Sequence, residues 1–345
     1  MDKPSQVSHL FIASILVCLL EISLVRSNDK IQTIQLTMPG VLLTRQQERS
    51  ICTFIELDPE LEYNILGFQP MVNNQNIHHM SVVAAKSLEL KSREHKIKTI
   101  IRPNAINQGK EKLHQEAFAC SAGVGYASDR FQSLGGVQTL YQWGRAGGNK
   151  SLLLPPGVSF KVGKRTGHKL LILQIHYHNH DILKPGGVFV DTSGVLISFT
   201  DQPQKKTAGI KSLHAGGIIG PRNTTILETS CPLAGRQSLY PLMFLVHTHS
   251  HGTWASLWTR PGPLHDQWKL LGEAEPYHDQ QWRPVDSQLR LDQDDILVTR
   301  CSLRNNDERL LRTGPTADDE MCAGYLLYQV DGDDRMANFG YCLTV

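Results

Sequence analysis

What most constrains this chain is the regularity with which turn-forming residues cut it into short extended runs. After the first thirty or so residues, Gly, Pro, Asn and Asp repeatedly interrupt apolar, β-branched and aromatic stretches. The clearest runs are Glu62 to Gly67, Lys169 to Tyr177, Val188 to Phe199, Leu242 to His249, Asp295 to Ser302 and Tyr325 to Val330. Runs of this kind, bounded by turn residues, read as strands. Many short strands favour β-sandwiches or jelly rolls over a parallel α/β sheet. The best helical candidate is Lys110 to Ala119, and its apolar periodicity is weak. The expected fold class is all-β.

The 345 residues suffice for one large or two medium domains with real cores. The text turns polar around Asp201 to Lys206, with Pro203 inside it, and this reads as a linker. It divides the chain into an N-terminal domain, 28–200, and a C-terminal domain, 201–345. At the start, Lys3 precedes an apolar run from Leu10 to Leu20, interrupted by Glu21 and followed by Arg26 and Ser27. This pattern is that of a secretory signal peptide over residues 1–27, too short to span a bilayer stably. No later segment is long and apolar enough to cross a membrane. A formal charge of +2 carries no nucleic-acid footprint and no polybasic membrane patch.

Removal of the leader takes Cys18 with it and leaves Cys52, Cys120, Cys231, Cys301, Cys322 and Cys342. An even number in an oxidising compartment argues for three disulfides, with about 15 possible connectivities. None of these cysteines forms a C-x-x-C pair, which argues against a zinc ribbon or a thioredoxin-type motif. The sequons Asn149-Lys150-Ser151 and Asn223-Thr224-Thr225 fit a secreted glycoprotein.

Fifteen histidines are many for this length, and three clusters sit on or beside strands: His78-His79-Met80, Gln174-Ile175-His176-Tyr177-His178, and His247-Thr248-His249-Ser250-His251. Alternate side chains of a strand share a face, so His247 and His249 point the same way, about 7 Å apart along the backbone. They can converge on one ion, and imidazole suits several first-row metals. Adjacent His78 and His79 face opposite sides of a regular strand. For them to share a metal, the strand must bend or one ring must coordinate through its nearer nitrogen. His95, His114, His168, His214, His265 and His278 read as solvated or hydrogen-bonded side chains.

The clusters, in order, followed by Glu320-Met321-Cys322, resemble the motif set of the copper type II, ascorbate-dependent monooxygenases. That family includes peptide-hydroxylating and amine-hydroxylating branches, and the similarity runs from about Val41 to Cys342. The resemblance implies two jelly-roll-like antiparallel β-sandwich domains with two copper sites facing each other across a cleft. One copper would take His78, His79 and His176, and the other His247, His249 and Met321. It implies ascorbate as reductant, dioxygen as cosubstrate, and disulfides Cys52 with Cys120, Cys231 with Cys342, and Cys301 with Cys322. Met321, Tyr325 and Gln174 are the candidate catalytic residues. A thioether favours Cu(I), and two imidazoles with one weak sulfur leave a position open for oxygen.

Size favours the peptide-hydroxylating branch, which acts on the α-carbon of a C-terminal glycine in glycine-extended peptides. The chain stops at Val345, so a separate lyase is expected to complete amidation. Two positions depart from the peptide-hydroxylating pattern: Leu245 stands where an arginine would hold the substrate carboxylate, and Ala323 where an asparagine is expected. Tyr325 is retained and shares a face with Met321 by alternation. Arg260 is a candidate replacement cation. His176-Tyr177-His178-Asn179 looks more like the amine-hydroxylating branch, so a copper monooxygenase acting on a phenethylamine is the alternative, followed by a weakly active copper-binding relative.

Overall fold

The turn-bounded runs do form strands, and among the described residues the one helical element is a 3-10 turn at Arg145–Gly147. The computed structural model describes residues 31–44, 49–73, 75–86, 117–120, 137–177, 188–234, 237–262, 267–276, 280–285, 289–314, 319–332 and 340–344. The expected leader, and with it Cys18, lies outside them, as do His95, His114, His178, His265 and His278. No helix among the described residues is long and apolar enough to cross a membrane.

Three large sheets carry the architecture. A five-stranded sheet runs Phe118–Cys120, Arg49–Glu56, Leu170–Tyr177, Ile77–Ala85, Gln138–Gly144. A four-stranded sheet runs Asn223–Pro232, Ile296–Asn305, Gly252–Arg260, Lys269–Ala274. Between them lies a sheet of ten strands to which both halves contribute. Its main path is Gln32–Thr37, Gly194–Thr200, Glu62–Met71, Val158–Gly163, Lys206–Ala215, Cys322–Asp331, Tyr240–Thr248, Arg283–Pro284. Pairing is antiparallel except on the edge of Lys206–Ala215 opposite Cys322–Asp331, where it runs parallel to Val158–Gly163 at its start and to Gly340–Thr344 further along. The polar stretch after Thr200 is thus a short connection between two strands of one sheet.

Each outer sheet packs on its part of the ten-stranded sheet, which makes two antiparallel sandwiches. The first core sets Ile51, Ile55, Val82, Leu173 and Ile175 against Leu36, Ile65, Phe68 and Ile197. The second sets Leu257, Leu297 and Leu303 against Leu213, Val246 and Leu326. Cys322–Asp331 serves both. Its Ala323, Tyr325 and Leu327 belong to the first core, and its Cys322, Leu326, Tyr328 and Val330 to the second. A strand buried on both faces reads as a continuous apolar run, which is why Tyr325 to Val330 is so legible in the sequence.

Two expected elements differ. Val188 to Phe199 is two strands, Val188–Asp191 and Gly194–Thr200. The buried Asp191 carboxylate accepts bonds from the Ser193 amide at 3.2 Å and its hydroxyl at 2.7 Å, and this local turn breaks the strand. Gly194 then passes so close to Gln32–Thr37 that a Cβ there would stand 2.2 Å from the Leu36 carbonyl oxygen. The weak helix of Lys110 to Ala119 ends as strand Phe118–Cys120, with the earlier residues outside the described set. Pairing of Phe118 to Cys120 with Cys52 to Ser50, and the Cys52–Cys120 disulfide, override a marginal helical propensity. The other two disulfides are Cys231–Cys342 and Cys301–Cys322, the connectivity that the family resemblance implies.

Candidate metal centre

The difficulty of adjacent histidines on one strand is solved by a β-bulge. Along the Leu170–Tyr177 and Ile77–Ala85 pair, Tyr177 opposes Ile77 and His176 opposes His79, so His78 is the extra residue. A bulge breaks the alternation of faces and re-aims a side chain. It brings His78 within 5.2 Å of His79 and 5.8 Å of His176, ring centroid to centroid, while His79 and His176 stack at 4.8 Å. The Ser50 hydroxyl is hydrogen-bonded to His176 Nδ1 at 3.1 Å and orients that ring.

His247 and His249 sit at the end of the Tyr240–Thr248 strand, with ring centroids 5.4 Å apart. His249 donates from Nδ1 to the Asp319 carbonyl at 2.8 Å, which fixes its tautomer and leaves Nε2 as the lone-pair nitrogen. Met321 is buried one residue before the Cys322–Asp331 strand, whose Cys322 and Ala323 oppose Thr248 and His247. Met321 and His249 therefore both lie one step past the end of the same strand pair. His251, third in the alternating run, does not join them: the chain turns at residues 249–252, and its Nδ1 meets the Glu320 carboxylate at 2.9 Å.

The histidines of the two expected ligand sets lie in ring contact, where the resemblance implied sites separated by a cleft. His78 lies 4.8 Å from His249 and 5.8 Å from His247, and His79 lies 5.5 Å from His247. One possible ligand nitrogen each from His78, His79 and His249 falls within 4.8 Å of the others. The junction is held by the segment at residues 280–282. Trp282 Nε1 donates to the Gln142 carbonyl at 2.9 Å, and the Gln280 amide donates to the Thr248 carbonyl at 3.4 Å. Gly144 lets this segment approach, because a Cβ on it would lie 2.7 Å from Gln280 Cβ.

Electrostatics suit a cation. Burial, with the neighbouring histidines His176, His78, His247 and His249 after it, holds His79 well below the usual imidazole range. Burial is also the largest cause of the drop for His247, which is lowered to about 3. Both rings are neutral near neutrality, the state a metal requires of imidazole. His247 Nε2 is buried without a hydrogen-bond partner, an arrangement that costs on the order of 1–3 kcal/mol unless something binds it. Neutral imidazoles, one fixed tautomer, a buried acceptor and a nearby thioether make a donor set that fits copper.

Beside His247, Tyr325 and Leu245 form a cross-strand row with Ser212, and His214 and Ala323 continue the row of His247. The His214 ring meets the Tyr325 ring edge-on at 5.6 Å. His214 is not solvated: it is 2% exposed, and burial lowers it to about 4. His168 is likewise buried. Arg260 does not reach this row. It stands at the far end of Gly252–Arg260, about 26 Å along the strand from Gly252, with its guanidinium over the Trp268 ring at 5.5 Å. Gln174 lies two residues before His176 on the same face and donates to Cys120 Sγ at 3.7 Å. Ser50, Gln280, Glu320 and the Asp319 carbonyl escape a sequence reading. Ser50, Glu320 and the Asp319 carbonyl each bond a histidine 70 to 126 residues away, Gln280 bonds the Thr248 carbonyl 32 residues away, and only Glu320, beside Met321, carries a local hint.

Residues 34–184 match the N-terminal domain of the copper type II ascorbate-dependent monooxygenases, and residues 206–344 match the C-terminal domain. The chain is 27% identical over 302 residues to peptidyl-glycine alpha-amidating monooxygenase A of Xenopus laevis, covering 87% of this chain and 28% of that protein. It is 25% identical over 304 residues to the Mus musculus peptidyl-glycine alpha-amidating monooxygenase, covering 87% and 27%. Dopamine beta-hydroxylase of Bos taurus is 23% identical over 313 residues, covering 86% and 46%. The chain thus spans about a quarter to under a half of the length of these relatives. With both domain matches in sequence, and the histidines of each brought to one cluster, the chain belongs to the copper type II ascorbate-dependent monooxygenase family.

Proposed function

We propose that this protein hydroxylates the α-carbon of a C-terminal glycine in glycine-extended peptides, using ascorbate and dioxygen. Two coppers are assigned, one to His78, His79 and His176 and one to His247, His249 and Met321. The first set lies in a domain taken as 28–200 and the second in one taken as 201–345. A secretory-pathway setting, with a leader over residues 1–27 and a separate lyase downstream, completes the reading. The observation that carries it is the row of Tyr325, Leu245 and Ser212 directly beside His247. It offers a mostly apolar bed with one phenol next to the thioether-bearing ligand set, and the alpha-amidating relatives match this chain at higher identity than the dopamine beta-hydroxylase.

Copper, when bound, supplies the one-electron chemistry that dioxygen requires. The protein's residues do the rest. Ser50 and the Asp319 carbonyl hold the His176 and His249 rings in orientation. Leu245 and Ala323 exclude water from the bed, and Tyr325 with His214 offers hydrogen-bonding groups to the substrate. A second reading, hydroxylation of an amine such as a phenethylamine, is favoured by one observation. No member of the two rows carries a cation to meet a carboxylate, because His214 is neutral and Leu245 is apolar.

The test is turnover of a short glycine-extended peptide, its C-terminal amide and a phenethylamine by the copper-loaded protein with ascorbate and oxygen. Hydroxylation of the glycine-extended peptide alone supports the proposal. Turnover of the amine without the peptide replaces it with the second reading, and no turnover of any of the three by copper-replete protein refutes both.

A further inference from the structure

The third histidine of His247-Thr248-His249-Ser250-His251 and the acid of Glu320-Met321-Cys322 are absorbed neither by the ligand sets nor by the substrate bed. They meet each other. Glu320 is 1% exposed, and its carboxylate gathers four N–H donors. Oε2 accepts from the backbone amides of His249 at 3.1 Å and Met321 at 3.2 Å. Oε1 accepts from the backbone amide of His251 at 2.9 Å and from its Nδ1 at 2.9 Å. Charge-assisted bonds of this kind are roughly twice as strong as neutral ones, and a buried carboxylate persists only when its lone pairs are met.

We propose that Glu320 and His251 form a positioning pair that sets His249 and Met321, the ligands assigned above to one copper, at their working separation. Two of the three backbone donors belong to the residues that would hold the metal. The anchor is itself tied down: the Glu320 amide donates to the Arg312 carbonyl at 2.8 Å, and its carbonyl accepts from Gly314 at 3.0 Å. His251 is tied as well, its carbonyl accepting from the Arg304 amide at 2.7 Å and its Nε2 lying 3.9 Å from Asp307 Oδ2. The turn after Thr248 is thereby fastened to the entry of the Cys322–Asp331 strand through one carboxylate. The rival role for His251, a third ligand in the alternating run, conflicts with the turn at residues 249–252 and with its Nε2, which lies 3.9 Å from Asp307 Oδ2.

The proposal rests on the assignment of His247, His249 and Met321 to copper, and the experiment separates the two. Copper stoichiometry after dialysis and sulfur scattering in the X-ray absorption of the reduced protein are measured for the full chain and its variants. Glu320→Gln puts an amide NH2 among N–H donors, and His251→Phe removes the Nδ1 donor. Both are expected to weaken copper at this site about 10–100-fold, the usual effect of losing an orienting partner, and to diminish the sulfur signal, while copper on the three-histidine set stays. His251→Asn, whose amide can replace the Nδ1 donor, is expected to restore both. Wild-type affinity and sulfur signal in folded Glu320→Gln and His251→Phe overturn the positioning role. So does a failure of His251→Asn to restore copper, accompanied by loss of one imidazole from the scattering. If Glu320→Gln does not fold, His251→Phe and His251→Asn decide. A wild-type protein with no sulfur scattering overturns the ligand assignment itself, and the positioning role with it.

Discussion

Replacing His214 with Leu should flatten the acid limb of this protein's stability. The imidazole is buried in the row of His247 with its ring edge-on to Tyr325, and burial lowers it from 6.5 to about 4. The sign follows from proton counting. Below about pH 6.5 the unfolded chain binds a proton at this residue that the folded chain refuses, so acid favours unfolding. The contribution is complete above pH 6.5 and is lost progressively down to about pH 4. At pH 5 the interval is about 1.5 pH units, and at about 1.4 kcal/mol per unit the loss is about 2 kcal/mol. Leu has a similar volume and nothing to protonate. The assay is urea unfolding of the copper-free protein and the His214→Leu variant at about pH 7.5 and about pH 5, so that metal release does not enter. Other buried histidines titrate in both proteins and drop out of the difference. Between the two pH values the parent should lose about 2 kcal/mol more than the variant. Parallel losses in the two proteins would refute the reasoning, because His214 would then be protonated freely in the folded state.

Three further outcomes are expected. Changing His247 and His249 together to Ala should take copper from two ions per chain to one, read by metal analysis after dialysis; a parent value near one would contradict the two-site assignment. Met321→Ile should remove turnover and copper–sulfur scattering while changing unfolding free energy by under about 1.5 kcal/mol, as a swap of similar volume does. Leu245→Arg should lower KM for a glycine-extended peptide and change kcat less, the signature of binding gained equally in ground and transition states. Steady-state kinetics with an unchanged KM would show that this row does not meet the substrate carboxylate.

Much of the site was legible because its signals are local. Alternation places His247 with His249 within three residues, and turn residues bound the strands that carry the candidate ligands. The demand for a bend at His78 and His79 follows from the geometry of a strand alone, and a bulge at His78 meets it. The six cysteines state that three bridges are possible, and the family resemblance chose among their pairings. The break at Asp191 to Ser193 was missed because a side chain bonding its own backbone outweighs a run of β-formers.

Other features are set by which distant strands come to lie together, and no local pattern encodes that. The linker-like stretch after Thr200 joins strands of one sheet, because Val158–Gly163 accepts Lys206–Ala215 as a neighbour 40-odd residues later in the chain. The burial of His214, the distance of Arg260 from the row of Tyr325 and Leu245, and the four donors on Glu320 all follow from such pairings. So does the closing of the two histidine clusters to ring contact beside Gly144 and Gln280. Periodicity tells which face a residue occupies, through sterics within a few bonds; what that face meets is chosen by the packing of the whole sheet.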